Sequence, residues 1–509
     1  GLTGSGKTEV YLQVMFEVLQ QGKQVLVLVP EIGLTPQTVA RFKSRFHCDV
    51  ALLHSGLNES KRLQAWQHAQ TGKASIIIGT RSAIYTPLPK LGLIILDEEH
   101  DLSYKQQEGF RYHARDVALY RGLLQGCPVI LGSATPSTES YHLAELGKLH
   151  LLELNQRAGV AVLPKMHIID LKIAKKKHGI SQTLIEQIKQ TLERKEQVLI
   201  FLNRRGYAPI LMCESCAWQA NCPHCDAHFT LHTQPYAYLH CHHCGTINRL
   251  PEHCPECKKQ SLKTIGLGTA KLEEHLHELF PHNEVIRVDR DSTSRVGSWQ
   301  KIYDRIQQNK PSILLGTQML AKGHHFPHVT LVAILDIDSG LLSVDLRAPE
   351  RTAQLIIQVA GRSGRGEHKG SVYLQTLRPD HPMLTTLIEK DYRAVAKQML
   401  AERKIAMLPP YRYAALVRVD SKDRAYSQQY LAEIAQQLRE KAADLIDIWG
   451  PIPAPMERKA GRYRAHMVIL SADRAKLHFY FLFWWQHVVH LPRQHQLRLS
   501  IDVDPQEFS

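Results

Sequence analysis

The sequence predicts an α/β protein with two parallel-sheet lobes, an inserted cysteine-rich module and a small α+β domain at the C-terminal end. Three observations support this prediction. Short apolar runs alternate with helical stretches in two sets, eight cysteines cluster within residues 213–257, and the pattern changes after Leu408-Pro409-Pro410. Such apolar runs, alternating with helical stretches, are typical of strands buried in a parallel sheet.

The first lobe is predicted to span residues 1–150. Its strands are expected at the apolar runs 25–29, 75–78, 93–96 and 129–131. Polar or glycine-containing residues follow each run, at the strand ends where parallel sheets collect ligands. Residues 151–180, which end in a basic run, are interpreted as a solvated connector.

The second lobe is predicted over residues 181–210 and 260–405, interrupted by the cysteine module at 211–259. Its strands are expected at 198–202, 285–288, 313–315, 331–335 and 371–374. Residues 406–509 form the end domain, with strands expected at 414–419, 466–470 and 497–503 around a helix near 424–445. The aromatic patch 479–485 is too short to span a membrane and is expected to pack as core.

A phosphate-binding loop opens the chain. Residues 1–8 read GLTGSGKT and fit G-x-x-x-x-G-K-[ST], followed at once by a helical segment from Glu9 to Gln20. Backbone N–H groups of such a loop surround phosphate oxygens, the lysine reaches the terminal phosphates, and the threonine hydroxyl binds Mg²⁺. The predicted ligands of ATP and Mg²⁺ are Gly4, Ser5, Gly6, Lys7 and Thr8. Because this loop normally follows a buried strand, we expect the sequence to be a fragment cut just before it.

A second nucleotide motif follows the apolar run 93–96. Asp97-Glu98-Glu99-His100 places carboxylates at a strand end about 90 residues after the phosphate loop. One carboxylate of such a pair holds Mg²⁺ and the next polarises the attacking water. We therefore assign the metal to Asp97 and the role of general base to Glu98.

Two further segments complete the expected hydrolytic site. Gly132-Ser133-Ala134-Thr135 follows the run 129–131, and its hydroxyl groups are candidates for coupling this site to the other lobe. In the second lobe, the stretch QVAGRSGR places Arg362 and Arg365 three residues apart, expected at the start of a helical segment. Guanidinium groups are suited to stabilising charge on a transferring phosphoryl group, so both are predicted to act as arginine fingers.

Four C-x-x-C pairs predict metal ligation, because eight clustered thiols fit two tetrahedral Cys₄ zinc sites. The gap of fifteen residues between the second and third pairs suits one ribbon, which leaves the first and fourth pairs for the other. The nested prediction is zinc 1 at Cys213, Cys216, Cys254 and Cys257, and zinc 2 at Cys222, Cys225, Cys241 and Cys244. An interleaved pairing is the alternative.

Charge and aromatic residues indicate a polyanionic partner. The formal net charge is +14, and no apolar run reaches the length of a membrane span. Aromatic and basic side chains interleave in the stretch SYKQQEGFRYH at 103–113, a composition able to stack bases and contact phosphates. A second candidate phosphate patch is GRYR at 461–464 with Arg458 and Lys459.

The motifs GSGKT, DEEH, GSAT and QVAGRSGR, in this order, resemble those of superfamily 2 helicases. The segments VPEIGLTP, HSG, GTRSA, NRRGY and GTQMLAKG, together with the four cysteine pairs and the tail segment GPIPAP, narrow the resemblance to the bacterial primosomal protein N′ family. The resemblance covers essentially the whole chain. In the family, an N-terminal DNA-binding domain, a winged-helix segment and a first strand precede the phosphate loop, and we expect this fragment to lack all three.

The resemblance implies two RecA-like lobes, the nested zinc arrangement, and an ATP-dependent 3′–5′ DNA helicase that restarts replication at stalled or recombination-derived forks. It also implies forked and single-stranded DNA, PriB, DnaT, single-strand-binding protein and the replicative helicase with its loader as partners, in the cytoplasm at the nucleoid. The DNA contacts it implies are Arg81, Tyr104, Lys105, Phe110, Arg111, Tyr112 and Lys322. Thr80 and Thr317, like Arg81 and Lys322, match motif positions that contact the strand backbone in related helicases. The alternatives are another kind of translocase, or a zinc-dependent DNA-binding scaffold whose ATPase is inert in this truncated form.

Overall fold

The computed structural model describes residues 2–508 with internal gaps. The gaps are 31–35, 157–163, 204–209, 214, 217, 226–227, 233–236, 242–243, 261, 266–268, 290–291, 293–297, 318–319, 321–325, 344, 365–369, 443–444 and 489–495. The chain forms two compact units. Unit 1 consists of Gly1–Asn203, His275–Leu341 and Pro349–Leu400, and unit 2 of Arg204–Glu274, Leu342–Ala348 and Ala401–Ser509.

The first lobe of unit 1 is a five-stranded parallel sheet in the order β2-β3-β1-β4-β5. The strands are β1 (Gln24–Leu28), β2 (Val50–Leu53), β3 (Ile76–Gly79), β4 (Leu91–Asp97) and β5 (Val129–Gly132). The helices are α1 (Lys7–Gln20), α2 (Pro36–Arg45), α3 (Glu59–Gln70), α4 (Ala114–Gln125) and α5 (Thr138–Glu145).

Both faces of this sheet are covered, and the central strands are buried along their whole length. One face carries a core that includes Leu26, Ile94 and Ala118, while the other packs Leu12 and Met15 of α1 against the sheet. Continuous apolar strands are the expected signature of such two-sided burial. The four strands predicted from apolar runs are all present; β2, whose residues alternate between buried and half-buried, was not predicted.

The second lobe is a six-stranded parallel sheet in the order β15-β16-β9-β17-β18-β6. Its strands are β6 (Lys165–Asp170), β9 (Gln197–Leu202), β15 (Glu284–Val288), β16 (Ser312–Gly316), β17 (Val329–Leu335) and β18 (Ser371–Thr376), and a short hairpin of β7 (Lys176–Lys177) and β8 (Ile180–Ser181) follows β6. The helices are α6 (Gln182–Glu193), α7 (Thr269–Leu279), α8 (Ser298–Ile306), α9 (Asp338–Leu341), α10 (Ala348–Ala360), α11 (Pro382–Glu389) and α12 (Tyr392–Ile405).

The prediction that 151–180 is only a connector is wrong for part of this range. Strand β6 pairs in parallel with β18 from Lys165 to Asp170 and forms the edge of the second lobe. Because an edge strand is less enclosed, the residues from Lys165 to Ile168 alternate between exposed and half-buried and only Ile169 is buried, so no apolar run marked the strand.

Unit 2 contains the cysteine module, which is a five-stranded antiparallel sheet in the order β13-β12-β11-β10-β14. Its strands are β10 (Ile210–Cys213), β11 (Thr230–His232), β12 (Tyr238–His240), β13 (Ile247–Arg249) and β14 (Leu262–Ile265). The apolar core of the module is small, formed around Leu211, Phe229 and Leu239 beside the cysteines. A module with so little apolar burial needs another source of stability, and metal ligation is the usual one.

The C-terminal domain of unit 2 is a four-stranded antiparallel sheet in the order β20-β21-β19-β22. It consists of β19 (Tyr413–Ser421), α13 (Arg424–Ala442), β20 (Asp447–Lys459), β21 (Arg462–Ser471), α14 (Arg474–Val488) and β22 (Arg498–Val503). The α+β prediction is confirmed, but the aromatic patch is only half core: Trp484 is buried, whereas Phe479 is 64% exposed. No helix among the described residues is long and apolar enough to cross a bilayer.

Candidate active site and zinc module

The phosphate loop has the backbone that its glycines allow. Gly4 and Gly6 adopt φ values of +79° and +86°, which residues with a side chain rarely tolerate, and α1 begins directly after them at Lys7. Gly6 provides no side-chain cap, so the N-terminus of α1 keeps backbone donors for an anion. Ser5 Oγ is buried and has no hydrogen-bond partner among the described residues. A phosphate fits this loop; Gly1 lies outside the described residues.

Asp97 ends β4 and lies in register with Gly132 of β5. Its Oδ1 accepts a hydrogen bond from the Tyr11 hydroxyl at 3.1 Å. Burial, with the adjacent charge of Glu98, raises the pKa of the Asp97 carboxyl to about 6, while Lys7 opposes the rise. A carboxylate held in such surroundings is suited to a cation, so the predicted Mg²⁺ ligand fits its site.

Glu98 and Glu99 differ in what they contact. Glu98 adopts φ +48°, a backbone conformation that turns the chain sharply after β4, and its Oε2 accepts no hydrogen bond from any described residue. Glu99 is buried and accepts bonds from Ser137 N at 2.6 Å and Ser140 Oγ at 2.9 Å. Glu99 therefore has a structural role, and Glu98 is the carboxylate available to take part in hydrolysis.

His100 joins the two lobes. Its Nδ1 lies 2.7 Å from Ser133 Oγ and 3.7 Å from Glu98 Oε2, while its Nε2 contacts the side-chain amide of Gln358 on α10. The expected role of the GSAT hydroxyl groups in coupling the lobes thus has a geometric basis at Ser133. Neither His100 nor Gln358 was assigned a role from the sequence, although both lie within recognised motifs.

The arginine motif lies at the opposite end of its helix from the one predicted. Helix α10 ends at Ala360, and Arg362 follows in the turn after it, largely buried. A Cβ on Gly361 would lie only 2.7 Å from Thr3 Oγ1, so this turn approaches the phosphate loop. Arg365 lies outside the described residues.

A buried carboxylate also connects the lobes. Glu350 of α10 accepts hydrogen bonds from Thr138 N at 2.9 Å and Thr138 Oγ1 at 3.0 Å, where α5 begins. Nearby, Tyr392 donates to Pro136 O at 2.9 Å, and the Gln354 amide donates to the Tyr392 hydroxyl at 3.2 Å. This cluster contacts the chain directly after the GSAT segment. No sequence pattern marked it, because its members lie far apart along the chain.

The aromatic loop at 103–113 is a hairpin whose base is buried. Lys105 and His113 form an antiparallel bridge, and Gln106 N donates to Tyr112 O. Tyr104 is fully buried and its hydroxyl lies 2.7 Å from Asp97 O and 2.9 Å from Leu28 O. The prediction that Tyr104 and Lys105 contact DNA is wrong for this conformation, because both side chains are enclosed by the lobe.

The tip of the hairpin is exposed. Phe110 is 77% exposed and stacks on Tyr112, which meets the half-exposed Tyr85 edge to face at 4.9 Å. Tyr85, absent from the sequence predictions, belongs to this aromatic surface. Arg111 Nε donates to Gln107 O within the tip, at 2.9 Å.

Arg81 braces the base of the same hairpin. One guanidinium nitrogen donates to the carbonyl oxygens of Ser103 and Lys105, each at 3.0 Å. Arg81 therefore positions the loop, whatever else it contacts. Lys322, the other predicted backbone contact, lies outside the described residues.

The eight cysteines form the two nested sets that were predicted. In the first, Sγ atoms of Cys213 and Cys257 are 3.5 Å apart; in the second, those of Cys222 and Cys244 are 3.6 Å apart. Four sulfurs at about 2.3 Å from a tetrahedral zinc would be about 3.8 Å from one another. Both sets therefore fit zinc, and a closed Cys₄ set is structural because it leaves no coordination position open.

The second set has a hydrogen-bond donor from the C-terminal domain. At the turn between β20 and β21, Ala460 N donates to Cys225 Sγ at 3.1 Å and Gly461 N donates to His224 O at 2.7 Å. Arg458 donates to Pro223 O, and Arg462 pairs with Asp420. Both guanidinium groups of the predicted phosphate patch therefore already have a partner within unit 2, and phosphate contact by this patch stays a prediction.

The chain matches three families along its length. Residues 1–143 match the DEAD/DEAH box helicase family, residues 267–367 the helicase conserved C-terminal domain, and residues 404–506 the primosomal protein N C-terminal domain. Among solved structures, RecG bound to a three-way DNA junction is similar, with 18% identity and a TM-score of 0.45 over 79% of this chain and 43% of RecG.

Similarity to curated proteins extends over the whole chain. The replication restart protein PriA of Haemophilus influenzae is 50% identical over 100% of this chain and 69% of its own length. That of Bacillus subtilis is 41% identical over 99% of this chain, which spans 63% of the longer protein. The chain therefore belongs to the PriA family of replication restart proteins, ATP-dependent DNA helicases built on two RecA-like lobes.

Proposed function

We propose that this chain hydrolyses ATP to move along single-stranded DNA in the 3′–5′ direction. The observation that carries the proposal is a continuous series of contacts in unit 1 from the aromatic hairpin, through the hydrolytic carboxylates, to the second lobe. Tyr104, at the base of the exposed aromatic hairpin, is bonded to the backbone of Asp97, and the adjacent Glu98 reaches Gln358 of the second lobe through His100. DNA contact, hydrolysis and lobe movement can thus be coupled over a few residues.

Each hydrolytic role falls to a different side chain. Lys7 neutralises the terminal phosphates at the start of α1, and Thr8 with Asp97 would hold Mg²⁺, which supplies charge neutralisation when bound. Glu98 accepts a proton from the attacking water through its Oε2. Arg362, with Arg365 as its partner, stabilises charge on the transferring phosphoryl group from the second lobe.

The DNA surface is proposed at the tip of the aromatic hairpin. Phe110, Tyr112 and Tyr85 offer ring faces and edges near Arg111, the combination that stacks unpaired bases without reading their sequence. Because the base of the hairpin is anchored on Asp97 O, a strand that displaces the tip also strains the hydrolytic site. Lys322 is proposed as a phosphate contact from the second lobe.

The biological role is proposed from the relatives, which are named replication restart proteins. By this likeness, the chain acts at stalled or recombination-derived forks and helps to load the replicative helicase with PriB, DnaT and single-strand-binding protein. Since the chain spans 63–69% of the length of those two relatives, the activity of the whole protein is part of the proposal.

The test is ATP turnover of the full-length protein with and without single-stranded DNA. DNA should stimulate turnover more than RNA of the same length, and Lys7→Ala should lower turnover by about two to three orders of magnitude, as for one lost electrostatic stabiliser. The exposed Lys61 on α3 provides the matched control, since Lys61→Ala should leave turnover unchanged.

Two outcomes would overturn the proposal. Equal stimulation by RNA would favour a different translocase. DNA binding with no turnover in wild-type protein, or turnover that survives Lys7→Ala, would favour the zinc-dependent scaffold with an inert ATPase.

A further inference from the structure

We propose that Tyr11 positions the Asp97 carboxylate for the cation, and that Gly132 exists in the GSAT segment to make room for it. Tyr11 lies on α1, one turn after Lys7, and is almost fully buried. Its hydroxyl donates to Asp97 Oδ1 at 3.1 Å. The inference rests on the proposed nucleotide hydrolysis and adds a positioning residue to it.

The orientation of a carboxylate decides which oxygen it offers to a metal. With Oδ1 of Asp97 engaged by Tyr11, Oδ2 is the oxygen left to bind a cation, and Lys7 of the phosphate loop is close enough to oppose the rise in the pKa of this carboxyl. Asp97 is also fixed from its backbone, because Tyr104 donates to its carbonyl oxygen at 2.7 Å. Two tyrosine hydroxyls, from α1 and from the aromatic hairpin, therefore hold one residue. Groups that hydrogen-bond a metal-binding carboxylate commonly change metal affinity by 10–100-fold when removed.

Gly132 gives independent support. A Cβ built on Gly132 would lie 1.5 Å from the Tyr11 hydroxyl oxygen and 2.6 Å from the ring carbon that bears it. No side chain at this position is compatible with Tyr11 in its place, and the ring carbon cannot yield as a flexible chain end would. A tyrosine serving only as core would not need its hydroxyl placed over a neighbouring strand at the cost of a side chain there. The absence of a side chain at Gly132 therefore allows the Tyr11 hydroxyl to reach Asp97.

The alternative is that Tyr11 contributes packing, with Asp97 as a convenient partner for a buried hydroxyl. The two possibilities differ in one measurable quantity, the Mg²⁺ concentration that half-saturates nucleotide binding. Packing is retained in Tyr11→Phe, which removes the hydroxyl and nothing else. A packing role predicts only the stability cost of the lost hydrogen bond, whereas a positioning role predicts in addition a change in metal dependence.

The experiment titrates a fluorescent ATP analogue onto full-length Tyr11→Phe protein at a series of Mg²⁺ concentrations. We expect the half-saturating Mg²⁺ concentration to rise about tenfold, with nucleotide affinity in the absence of Mg²⁺ unchanged. Turnover of Tyr11→Phe should be reduced at low Mg²⁺. At saturating Mg²⁺, its kcat should return most of the way to the wild-type value, with the KM for ATP near that of wild type. Tyr120→Phe, which removes an exposed tyrosine hydroxyl from α4 of the same lobe, should match wild type throughout.

A second pair of variants tests the role of Gly132. Gly132→Ala alone should shift the Mg²⁺ requirement at least as far as Tyr11→Phe, because the new methyl group displaces the ring. In a Tyr11→Ala background the same substitution should add no further shift. An unchanged Mg²⁺ requirement in Tyr11→Phe would overturn the inference, as would additive effects of Tyr11→Ala and Gly132→Ala. If wild-type protein shows no Mg²⁺-dependent nucleotide binding, the proposed function itself fails.

Discussion

The buried base and the exposed tip of the aromatic hairpin should fail in different ways when mutated. Tyr104→Phe removes a hydroxyl that lies 2.7 Å from Asp97 O in a fully buried site. Loss of a buried donor costs about 1–3 kcal/mol, so the lobe should be destabilised by that amount. DNA affinity should stay within about twofold, because the side chain is enclosed. Maximal DNA-stimulated turnover should fall, since the hairpin is no longer fastened to the strand that carries the hydrolytic carboxylates.

Phe110→Ala should show the opposite pattern. Phe110 is 77% exposed, so its removal should change the free energy of unfolding by less than about 0.5 kcal/mol. The loss of one stacked base should weaken single-stranded DNA binding by about 1–3 kcal/mol, which is roughly 5- to 150-fold in Kd. Leu123→Ala on α4 is the control, because Leu123 is 79% exposed yet lies outside the hairpin.

Three measurements on the same proteins decide the matter: DNA affinity by fluorescence anisotropy, urea unfolding followed by lobe-specific hydrogen exchange, and turnover at saturating DNA. The reasoning is refuted if Tyr104→Phe weakens DNA binding as strongly as Phe110→Ala. It is refuted equally if Phe110→Ala binds DNA like the Leu123 control.

Three other predictions concern the lobe contact, the metal and acid stability. Thr138→Val and Glu350→Gln should each slow DNA-stimulated turnover. The double mutant should be destabilised by about 1–3 kcal/mol less than the sum of the two single mutants, because both remove the same hydrogen bond. Additive effects on stability would contradict a direct bond. Cys222→Ser should lower bound zinc below two ions per chain by elemental analysis and unfold the module while nucleotide binding persists. Two retained ions would count against the assignment. His113 caps α4 through Nδ1, and burial beside Arg115 lowers the pKa of its imidazole to about 3. Below pH 6.5 the folded lobe therefore binds fewer protons than the unfolded chain. Its stability should therefore fall by about 1.4 kcal/mol per pH unit as pH drops from 6.5 toward 4, and His113→Asn, which keeps a cap, should flatten that slope in acid titrations of hydrogen exchange.

Prediction from the sequence succeeded where a single short segment determines the structure, as in a buried strand or a closely spaced cysteine pair. Apolar runs located the central strands, because a strand buried on both faces has no polar positions. Cysteine spacing gave the zinc sets, because a ribbon constrains which pairs can meet. Strand β6 was not predicted, because a partly exposed edge strand does not show a continuous apolar run.

Tertiary contacts were beyond reach for a different reason. Tyr104 and Phe110 belong to the same aromatic-basic stretch, yet one is enclosed and the other projects into solvent. The composition of the stretch cannot separate them, since burial depends on which residues meet Arg81 and β1. Likewise Tyr11 looks like ordinary helix core until Gly132 is brought beside it.

The hydrogen bond from Ala460 to Cys225 joins residues 235 positions apart, which has a consequence for the order of assembly. At a synthesis rate of about 5–20 residues per second, the cysteine module leaves the ribosome roughly 10–50 s before the turn that completes its second site. During that interval the Cys225 sulfur lacks its backbone donor and is more open to oxidation or exchange. Metal captured early would keep the thiol in place until the C-terminal hairpin arrives. A protein shortened between the end of the second lobe and Ala460 would keep all eight cysteines and still lack the backbone donor to Cys225.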